Sequence, residues 1–185
     1  MMQVLRGEYG KFLIIDCRFG FEYKGGHFKS AINITDPDHL EELLFRGHTV
    51  SDIDSHVLSL RSKFNADGEL LKYAFSNPKS LIIIFHCEYS QKRGPRMYRH
   101  LRHLDRMAHE HNYPELYYPN MYVLEKGYKG FWEDVCACDC AIGAEFCEPN
   151  QYVPMNDEQY SADLSSSWKH MKECWGRRKG TSRRR

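Results

Sequence analysis

Unbroken runs of apolar residues at two places in the chain predict strands that are buried on both faces of a sheet. The runs are Phe12 to Ile15 and Leu81 to Phe85. Continuous apolar runs, as opposed to alternating ones, are typical of parallel strands that carry helices on both sides. Residues 31–34 and 121–124 are two shorter strand candidates.

Segments with helical periodicity alternate with these runs. Residues 38–44 and 53–64 lie between strand candidates, and a longer periodic segment follows the second run. In that longer segment the apolar residues recur at the spacing of a helical turn, so they should form one stripe that packs on the sheet. The stripe consists of Met97, Leu101, Leu104 and Ala108. Alternating strands and helices predict an α/β fold with helices on both faces of the sheet.

The end of the chain predicts one more helix. Asn156, followed by Asp157, Glu158 and Gln159, has the pattern of a helix N-cap with a capping box. An apolar stripe follows, which should pack on the core. It consists of Leu164, Trp168, Met171 and Trp175.

A Cys-x5-Arg sequence joins the second apolar run to the long periodic segment. We call it the Cys–Arg loop; it consists of Cys87, Glu88, Tyr89, Ser90, Gln91, Lys92 and Arg93. A strand-to-helix turn directs backbone N–H groups at its centre, and the helix N-terminus adds partial positive charge, which suits a tetrahedral anion. The same field favours a nucleophilic thiolate at Cys87, and Arg93 could donate to two phosphate oxygens. The sequence context therefore predicts a phosphate-binding site that contains a nucleophile.

Cys17 ends the first apolar run as Cys87 ends the second. The carboxyl ends of parallel strands meet at one edge of a sheet, where ligands bind. If the two strands are neighbours, Cys17 could attack an oxidised Cys87 and form a reversible disulfide. The alternative is that Cys17 only fills space in the core.

Length, composition and charge narrow the class of protein. The chain has 185 residues, of which 42% are hydrophobic, as expected for one globular domain. It has no apolar run long enough to span a membrane and no signal-peptide pattern, so we expect a soluble intracellular protein whose seven cysteines are thiols. The four cysteines at 136, 138, 140 and 147 could hold zinc, but their Cys-x-Cys-x-Cys spacing fits a tetrahedral ion poorly, so we interpret them as a chance cluster and predict no metal. Of the 26 Lys and Arg residues, six lie in 92–106 and six in 177–185, which favours an anionic substrate or partner.

Several motifs together resemble the catalytic domain of the M-phase inducer phosphatases, which are dual-specificity phosphatases with a rhodanese-like fold. The resemblance extends from about Phe12 to Asn156. The motifs are Asp16-Cys17-Arg18, Glu22-Tyr23, Gly25-Gly26-His27, Ala31-Ile32-Asn33, His86 to Arg96, Tyr113-Pro114, Tyr117-Tyr118-Pro119, Gly127-Tyr128-Lys129 and Phe146-Cys147-Glu148-Pro149. The resemblance implies a mostly parallel five-stranded central sheet. It also implies a rhodanese-like phosphatase catalytic domain at 1–156, followed by a C-terminal helix and basic tail at 157–185.

The implied activity is the removal of phosphate from phospho-Thr and phospho-Tyr of a cyclin-dependent kinase–cyclin complex, which promotes entry into mitosis. The reaction would pass through a cysteinyl phosphate on Cys87 and would use no cofactor and no metal. The resemblance also implies a monomer of the nucleus and cytoplasm that binds neither nucleic acid nor membrane.

The resemblance assigns further roles by position. Cys17 matches the family's redox-active second cysteine, and the kinase-docking residues fall on Arg102, Arg106 and Tyr113. Relatives carry Glu both after the nucleophile and before the Arg, whereas this chain has Glu88 at the first position and Lys92 at the second. We therefore expect that either Glu88 or a proton of the substrate protonates the leaving group.

Two other functions stay open at this point. An arsenate reductase of the same fold also uses Cys-x5-Arg, because arsenate resembles phosphate. A phosphoprotein-binding module that has lost turnover is the other alternative, since Lys92 replaces an expected carboxylate. A sulfurtransferase of this fold would have a loop one residue shorter.

Overall fold

The computed structural model describes residues 1–6, 10–48, 51–138 and 140–181. Its strands coincide with the predicted apolar runs, with two very short additions. They are β1 (Phe12–Asp16), β2 (His27–Phe28), β3 (Ala31–Asn33), β4 (Ile82–His86), β5 (Met121–Val123) and β6 (Cys147–Glu148).

The helices fill the intervals between the strands. They are α1 (Met2–Leu5), α2 (Gly20–Lys24), α3 (Pro37–Leu44), α4 (Ile53–Phe64), α5 (Gly68–Ser76), α6 (Arg93–Ala108), α7 (Gly127–Phe131), α8 (Cys140–Phe146) and α9 (Ser161–Thr181). A π-helical turn, Trp132–Cys136, continues directly from α7. The predicted helices at 38–44 and 53–64 are confirmed, whereas α5 was not predicted.

The central sheet has the strand order β3-β1-β4-β5, and every neighbouring pair is parallel. The prediction of five strands is wrong, because the described residues form four strands in this sheet. The short strands β2 and β6 pair with each other in an antiparallel ladder and do not join it. Each has only two residues, so the pair forms a separate short ladder and does not extend the central sheet.

Side chains of the central strands point alternately to the two faces of the sheet, as strand geometry requires. Leu13, Ile15 and Phe85 pack with residues of α3 to α6 in one apolar cluster. Ile14 packs on the opposite face with a second cluster, which includes Tyr128 of α7. Both faces are therefore covered, which confirms the predicted arrangement and explains why the strands are apolar throughout.

Helix α6 departs from its predicted stripe near its C-terminal end. Met97 and Leu101 are buried as predicted, but Ala108 is exposed. Asp105 is fully buried instead, and its carboxylate accepts hydrogen bonds from the backbone N–H groups of Tyr117, at 2.8 Å, and Tyr118, at 3.0 Å. The last turn of α6 therefore holds the segment at Tyr117 and Tyr118 through hydrogen bonds to the buried Asp105 carboxylate.

Helix α9 packs on the Phe19–Phe21 segment through its predicted stripe, and the rings of Phe19 and Trp168 lie 5.2 Å apart. The predicted cap is displaced by one residue. The side chain of Asp157, not Asn156, accepts from the N–H of Gln159 at a short 3₁₀ turn before the helix. The end of the basic tail, residues 182–185, lies outside the described residues. None of the described helices is long and apolar enough to cross a membrane.

Candidate phosphate-binding site

The Cys–Arg loop begins where two adjacent strands end. β1 and β4 are neighbours in register, with Asp16 opposite His86, and the N–H of Cys17 donates to the carbonyl of His86 at 2.8 Å. Cys17 and Cys87 therefore follow equivalent positions on neighbouring parallel strands. The two strands are neighbours, which meets the condition that the redox role of Cys17 requires.

The loop itself surrounds a small cavity of about 200 Å³. Apart from Ser90, every residue of the loop lines this cavity, together with Met155 and Trp168 from the C-terminal segment. Ser90 has a positive φ of 52°, which turns the chain tightly at the middle of the loop. Among the described residues, none of the backbone N–H groups of 88–92 donates a hydrogen bond to another protein group. Such a run of free N–H groups is the arrangement that binds an anion.

The first turn of α7 supports the loop from behind. The N–H groups of Tyr128 and Lys129 donate to the carbonyls of Cys87 and Glu88, each at 3.0 Å. Gly127 precedes them with φ of +65°, and a Cβ there would lie 2.4 Å from both carbonyl oxygens. A side chain at this position would therefore push the loop away, which explains glycine in the Gly-Tyr-Lys motif.

Arg93, in the first turn of α6, forms an ion pair with Glu22 of α2. Nη1 of Arg93 donates to Oε2 of Glu22, and Nη2 donates to Oε1 at 3.0 Å. Burial alone would lower the pKa of Arg93, but hydrogen bonds to Glu22 and its charge outweigh burial, so the pKa lies above its ordinary value. Nε–H and one hydrogen on each Nη are not used by Glu22 and stay available for an anion. Glu22 therefore fixes the plane of the guanidinium beside the loop.

Glu88, the predicted acid, is 2% exposed and is held by the C-terminal segment. Its Oε1 accepts a hydrogen bond from the hydroxyl of Tyr152 and another from the N–H of Met155, at 3.3 Å. Oε2 lies 4.0 Å from Nη2 of Arg93. Glu88 therefore connects the loop to the segment that carries one wall of the cavity.

A buried ionic network lies on the β1 side of the loop. Nη2 of Arg18 donates to Oδ2 of Asp16 at 2.7 Å, and Nε of Arg18 also donates to this carboxylate. Burial would raise the pKa of Asp16, but the charge and hydrogen bonds of Arg18 outweigh burial and lower it to about 2. Burial lowers the pKa of His86 to about 4, so this imidazole is neutral at neutral pH. The Asp16–Arg18 pair is therefore fixed at the end of β1, with the neutral His86 ring 3.7 Å from the Asp16 carboxylate, and none of these three residues lines the cavity.

Cys17 lies between this network and the nucleophile and is 2% exposed. Burial raises the pKa of its thiol well above the ordinary value, and the negative charges of Asp16 and Cys87 add to the effect. Cys17 is thus a protonated thiol in the reduced protein. Its position fits the predicted redox role, which stays a prediction.

The predicted docking residues have different environments. Arg102 is turned toward the protein, where Nη1 donates to the carbonyl of Tyr118 at 2.8 Å and Nη2 donates to that of Pro119 at 3.1 Å. Arg106 is exposed, and Tyr113 is 79% exposed. Arg102 therefore has a structural task in holding the Tyr-Tyr-Pro motif, while Arg106 and Tyr113 are accessible to a partner.

The cysteines of the predicted chance cluster do not all come together. Cys136 and Cys147 are buried with their sulfur atoms 3.6 Å apart, close enough for a thiol hydrogen bond. Cys138 is exposed, and its thiol lies 3.4 Å from the carbonyl oxygen of Glu133. The side chain of Cys140 lies outside the described residues. The pairing joins the π-helical turn to β6.

Sequence reasoning missed several residues of the site. Glu22 was noticed only as part of a motif, although its place three residues after Phe19 is a capping signal, and its Oε2 accepts from the N–H of Phe19 at 2.9 Å. Tyr152 and Met155 carried no signal, because they reach the loop only through tertiary folding. Trp168 was predicted as part of an apolar stripe, but its second role as a wall of the cavity was not.

Comparison with known proteins assigns the fold to a family. A family model described as "Rhodanese-like domain" matches residues 4–134. The chain belongs to the rhodanese-like domain family, as its parallel sheet and the cysteine loop after β4 indicate.

Within that family the chain is similar to the M-phase inducer phosphatases. It is 38% identical to M-phase inducer phosphatase 1 of Rattus norvegicus over 89% of this chain, and 36% identical to M-phase inducer phosphatase cdc-25.1 of Caenorhabditis elegans over 85% of it. The matched regions are 26% and 21% of those two proteins, so the chain spans about a quarter of the length of such relatives. A solved yeast protein tyrosine phosphatase of the rhodanese family is 23% identical, with a TM-score of 0.46 over 78% of this chain and 79% of its own. The predicted resemblance is confirmed.

Proposed function

We propose that this protein is a cysteine-dependent, dual-specificity protein phosphatase. The free N–H groups of residues 88–92, arranged around Cys87 and Arg93, are the observation that carries the proposal. A tetrahedral phosphate ester suits this set of donors, and the neighbouring thiol supplies a nucleophile. The similarity to M-phase inducer phosphatases supports the same function, since it extends over most of this chain.

In the proposed reaction the Cys87 thiolate attacks phosphorus in line with the leaving oxygen. The loop N–H groups and the free donors of Arg93 hold the three remaining oxygens, where charge is greatest in the transition state. The S–P bond forms as the O–P bond breaks. Water then attacks the cysteinyl phosphate, which releases phosphate and restores the thiolate.

The leaving oxygen also needs a proton. The two sources expected from the sequence are Glu88 and the substrate itself. We assign this role to a proton of the phosphate ester, because the Glu88 carboxylate accepts from Tyr152 and Met155 and is thereby engaged on the side of the C-terminal segment. Glu88 is then a positioning residue for the loop.

Hydrolysis of a chromogenic phosphate ester by the purified chain tests the proposed activity. We expect turnover by the unmodified protein and a loss of at least about 10⁴-fold in kcat for Cys87→Ser, which removes the nucleophile. Cys138→Ser is the matched control, because Cys138 is an exposed cysteine outside the site, and it should keep full activity.

Two results would replace this proposal with another function. Stoichiometric binding of a phosphopeptide without turnover would indicate the binding module. The ion pair between Arg93 and Glu22 is compatible with such a module, because it orients the arginine for binding whether or not a reaction follows. Thiol-dependent reduction of arsenate without ester hydrolysis would indicate the reductase.

We further propose that the substrate is a phosphorylated cyclin-dependent kinase–cyclin complex, with phospho-Thr and phospho-Tyr as targets, and that its dephosphorylation promotes entry into mitosis. The substrate would bind the surface that carries Arg106 and Tyr113. Arg106 is on α6, and a rise of 1.5 Å per residue places it about 20 Å along the helix from Arg93. A small oxyanion could not reach both positions, whereas a folded kinase could. Nuclear and cytoplasmic location and a monomeric state remain part of this proposal.

The docking proposal is tested by comparing dephosphorylation of an intact kinase–cyclin complex with that of a free phosphopeptide. Combining Arg106→Ala with Tyr113→Ala should lower kcat/KM at least about tenfold on the complex and leave the peptide rate unchanged. Arg61→Ala, an exposed arginine on α4, is the control. Equal losses on both substrates would contradict docking. Arg102→Ala is less informative, since it also frees the Tyr-Tyr-Pro motif.

A further inference from the structure

A second group of chemically active side chains lies away from the Cys–Arg loop, where the loop before α3 meets α9. It consists of Asp36, His170 and Cys174. One ligand atom from each residue lies within 4.8 Å of the other two. The thiol of Cys174 is 3.2 Å from Oδ2 of Asp36 and 3.4 Å from Nε2 of His170.

These separations are close to those that a tetrahedral zinc ion requires. With Zn–S near 2.3 Å and Zn–N or Zn–O near 2.0–2.1 Å, two ligand atoms on a tetrahedron are about 3.5 Å apart. The two sulfur distances therefore match two edges of the coordination shell. We propose that Asp36, His170 and Cys174 bind a zinc ion with three protein ligands and leave the fourth position to solvent.

The chemistry of the three ligands supports zinc over the alkaline-earth ions. A thiolate and an imidazole are ligands that zinc prefers, whereas magnesium and calcium take oxygen ligands. Burial raises the pKa of Cys174, so the free thiol is protonated. Binding would form the Zn–S bond as that proton leaves to solvent.

The surroundings also orient the ligands. Oδ1 of Asp36 accepts from the N–H of Asp38 at the N-cap of α3, at 2.9 Å, so that Oδ2 is directed toward Cys174. His170 and Cys174 are four residues apart on α9 and therefore share one face of the helix. A ligand fixed by a further hydrogen bond is typical of protein metal sites.

The guanidinium of Arg177 lies beside these three side chains. Its Nη2 lies 3.5 Å from the sulfur of Cys174 and 4.0 Å from Oδ2 of Asp36. The side chain is 60% exposed and also lies 3.8 Å from Asp38, so it can withdraw toward solvent when a metal ion enters. A cation competing for the site should weaken metal binding.

Zinc at this position would connect the loop before α3 to the helix that carries one wall of the cavity. The loop before α3 follows β3, and α9 carries Trp168, which lines the cavity. Trp168 is two residues before His170, within the same helical turn. The ion would therefore hold the helix that forms one wall of the cavity.

Spectroscopic titration of the purified full chain with Co²⁺, in the presence of a non-thiol reductant, tests the site. We expect one equivalent to give the ligand-field bands of tetrahedral Co²⁺ and a sulfur-to-metal charge-transfer band, with Zn²⁺ displacing it. His170→Ala should weaken Zn²⁺ binding at least about tenfold. Because the His170 side chain is exposed, the substitution should not disturb folding, and the weaker binding can be attributed to the lost ligand. Cys138→Ser should bind as the unmodified protein does.

Two more variants test the thiol ligand and the competing cation separately. Cys174→Ser should abolish the charge-transfer band, whereas Arg177→Ala should tighten Zn²⁺ binding, because it removes the competing cation. At the same Zn²⁺ concentration, the Tm of the unmodified protein should rise more than that of His170→Ala. Absence of stoichiometric binding, or equal binding by the unmodified protein and His170→Ala, would overturn the proposal. So would a charge-transfer band that depends on Cys138 and not on Cys174.

Discussion

The ends of β1 and β4 carry the same two residue types in the same topological position, yet they have different environments. Each strand end is followed by a cysteine, and each has an arginine close by in sequence. At the end of β1 the Arg18 guanidinium is wholly buried against Asp16 and lies 3.9 Å from the centre of the Tyr128 ring. At the end of β4 the Arg93 guanidinium lines the cavity and keeps donors free.

The difference shows that a cysteine and an arginine at the carboxyl end of a parallel strand do not by themselves make a phosphate site. What distinguishes the second pair is the geometry of the chain between Cys87 and Arg93, where the N–H groups of 88–92 have no protein partner in the described structure. Arg18 follows Cys17 directly, so no loop of free N–H groups can form there. The first pair therefore stabilises the fold, and the second is suited to binding.

Matched lysine substitutions separate these two arginines most strongly. Arg93→Lys keeps the charge but loses the planar fork of donors, so we expect kcat/KM for a phosphate ester to fall about 100-fold or more. Arg18→Lys should leave kcat/KM nearly unchanged and instead lower the free energy of unfolding by about 2–3 kcal/mol, because Asp16 loses part of its buried partner. Ester hydrolysis and urea denaturation of both variants provide the two measurements.

The comparison would break down if the effects were exchanged. A large activity loss in Arg18→Lys at unchanged stability would mean that the β1 end takes part in the reaction. Unchanged activity in Arg93→Lys would remove the bidentate contact from the mechanism.

Sequence reasoning predicted the parts of this comparison that depend on local pattern. Strands β1 and β4 and the loop between Cys87 and Arg93 are encoded by apolar runs and spacing, whereas the adjacency of Cys17 and Cys87 depends on the strand order and does not follow from them. The partners of the loop are not encoded in this way. Glu22 reaches Arg93 across 71 residues of sequence, and Tyr152 reaches Glu88 across 64. Long-range polar pairs of this kind follow from tertiary packing. The local periodicity of hydrophobic residues does not indicate such contacts.

Acid should destabilise the buried groups at the ends of β1 and β4. His86 has a folded-state pKa of about 4 and an ordinary value of 6.5, so between these values the unfolded state binds more protons. Lowering the pH through this window should therefore reduce the free energy of unfolding by about 3 kcal/mol. At still lower pH, Asp16 becomes protonated; folding lowers its pKa from 3.8 to about 2. This protonation should reduce the free energy of unfolding by about 2 kcal/mol more.

Urea denaturation of the unmodified protein and His86→Gln between pH 7 and pH 4 measures the first effect. The variant should be less stable at neutral pH but should show a flatter dependence on pH. Parallel curves for the two proteins would assign the acid sensitivity to other groups.

Oxidation should distinguish the two cysteines at the strand ends. Peroxide converts the Cys87 thiolate to a sulfenic acid, and attack by Cys17 then forms the disulfide and releases water. Thiol reductant should restore activity in the unmodified protein but only in part in Cys17→Ser, where the sulfenic acid is oxidised further. Because burial raises the pKa of Cys17, disulfide formation should accelerate as pH rises. Intact-protein mass spectrometry and recovered activity are the measurements, and equal recovery in both proteins would contradict the redox role.

The smallest expected effect concerns Glu88, which belongs to the β4 end but has contacts that resemble those of the β1 end. Its carboxylate is buried and hydrogen-bonded to Tyr152 and Met155, as Asp16 is to Arg18. Glu88→Gln keeps an oxygen that can accept from both groups, so kcat should fall only a few-fold and the shape of the pH–rate profile should not change. Loss of one limb of that profile would instead identify Glu88 as the general acid. Tyr152→Phe should also lower kcat only a few-fold, because it removes one of the two hydrogen bonds that position Glu88.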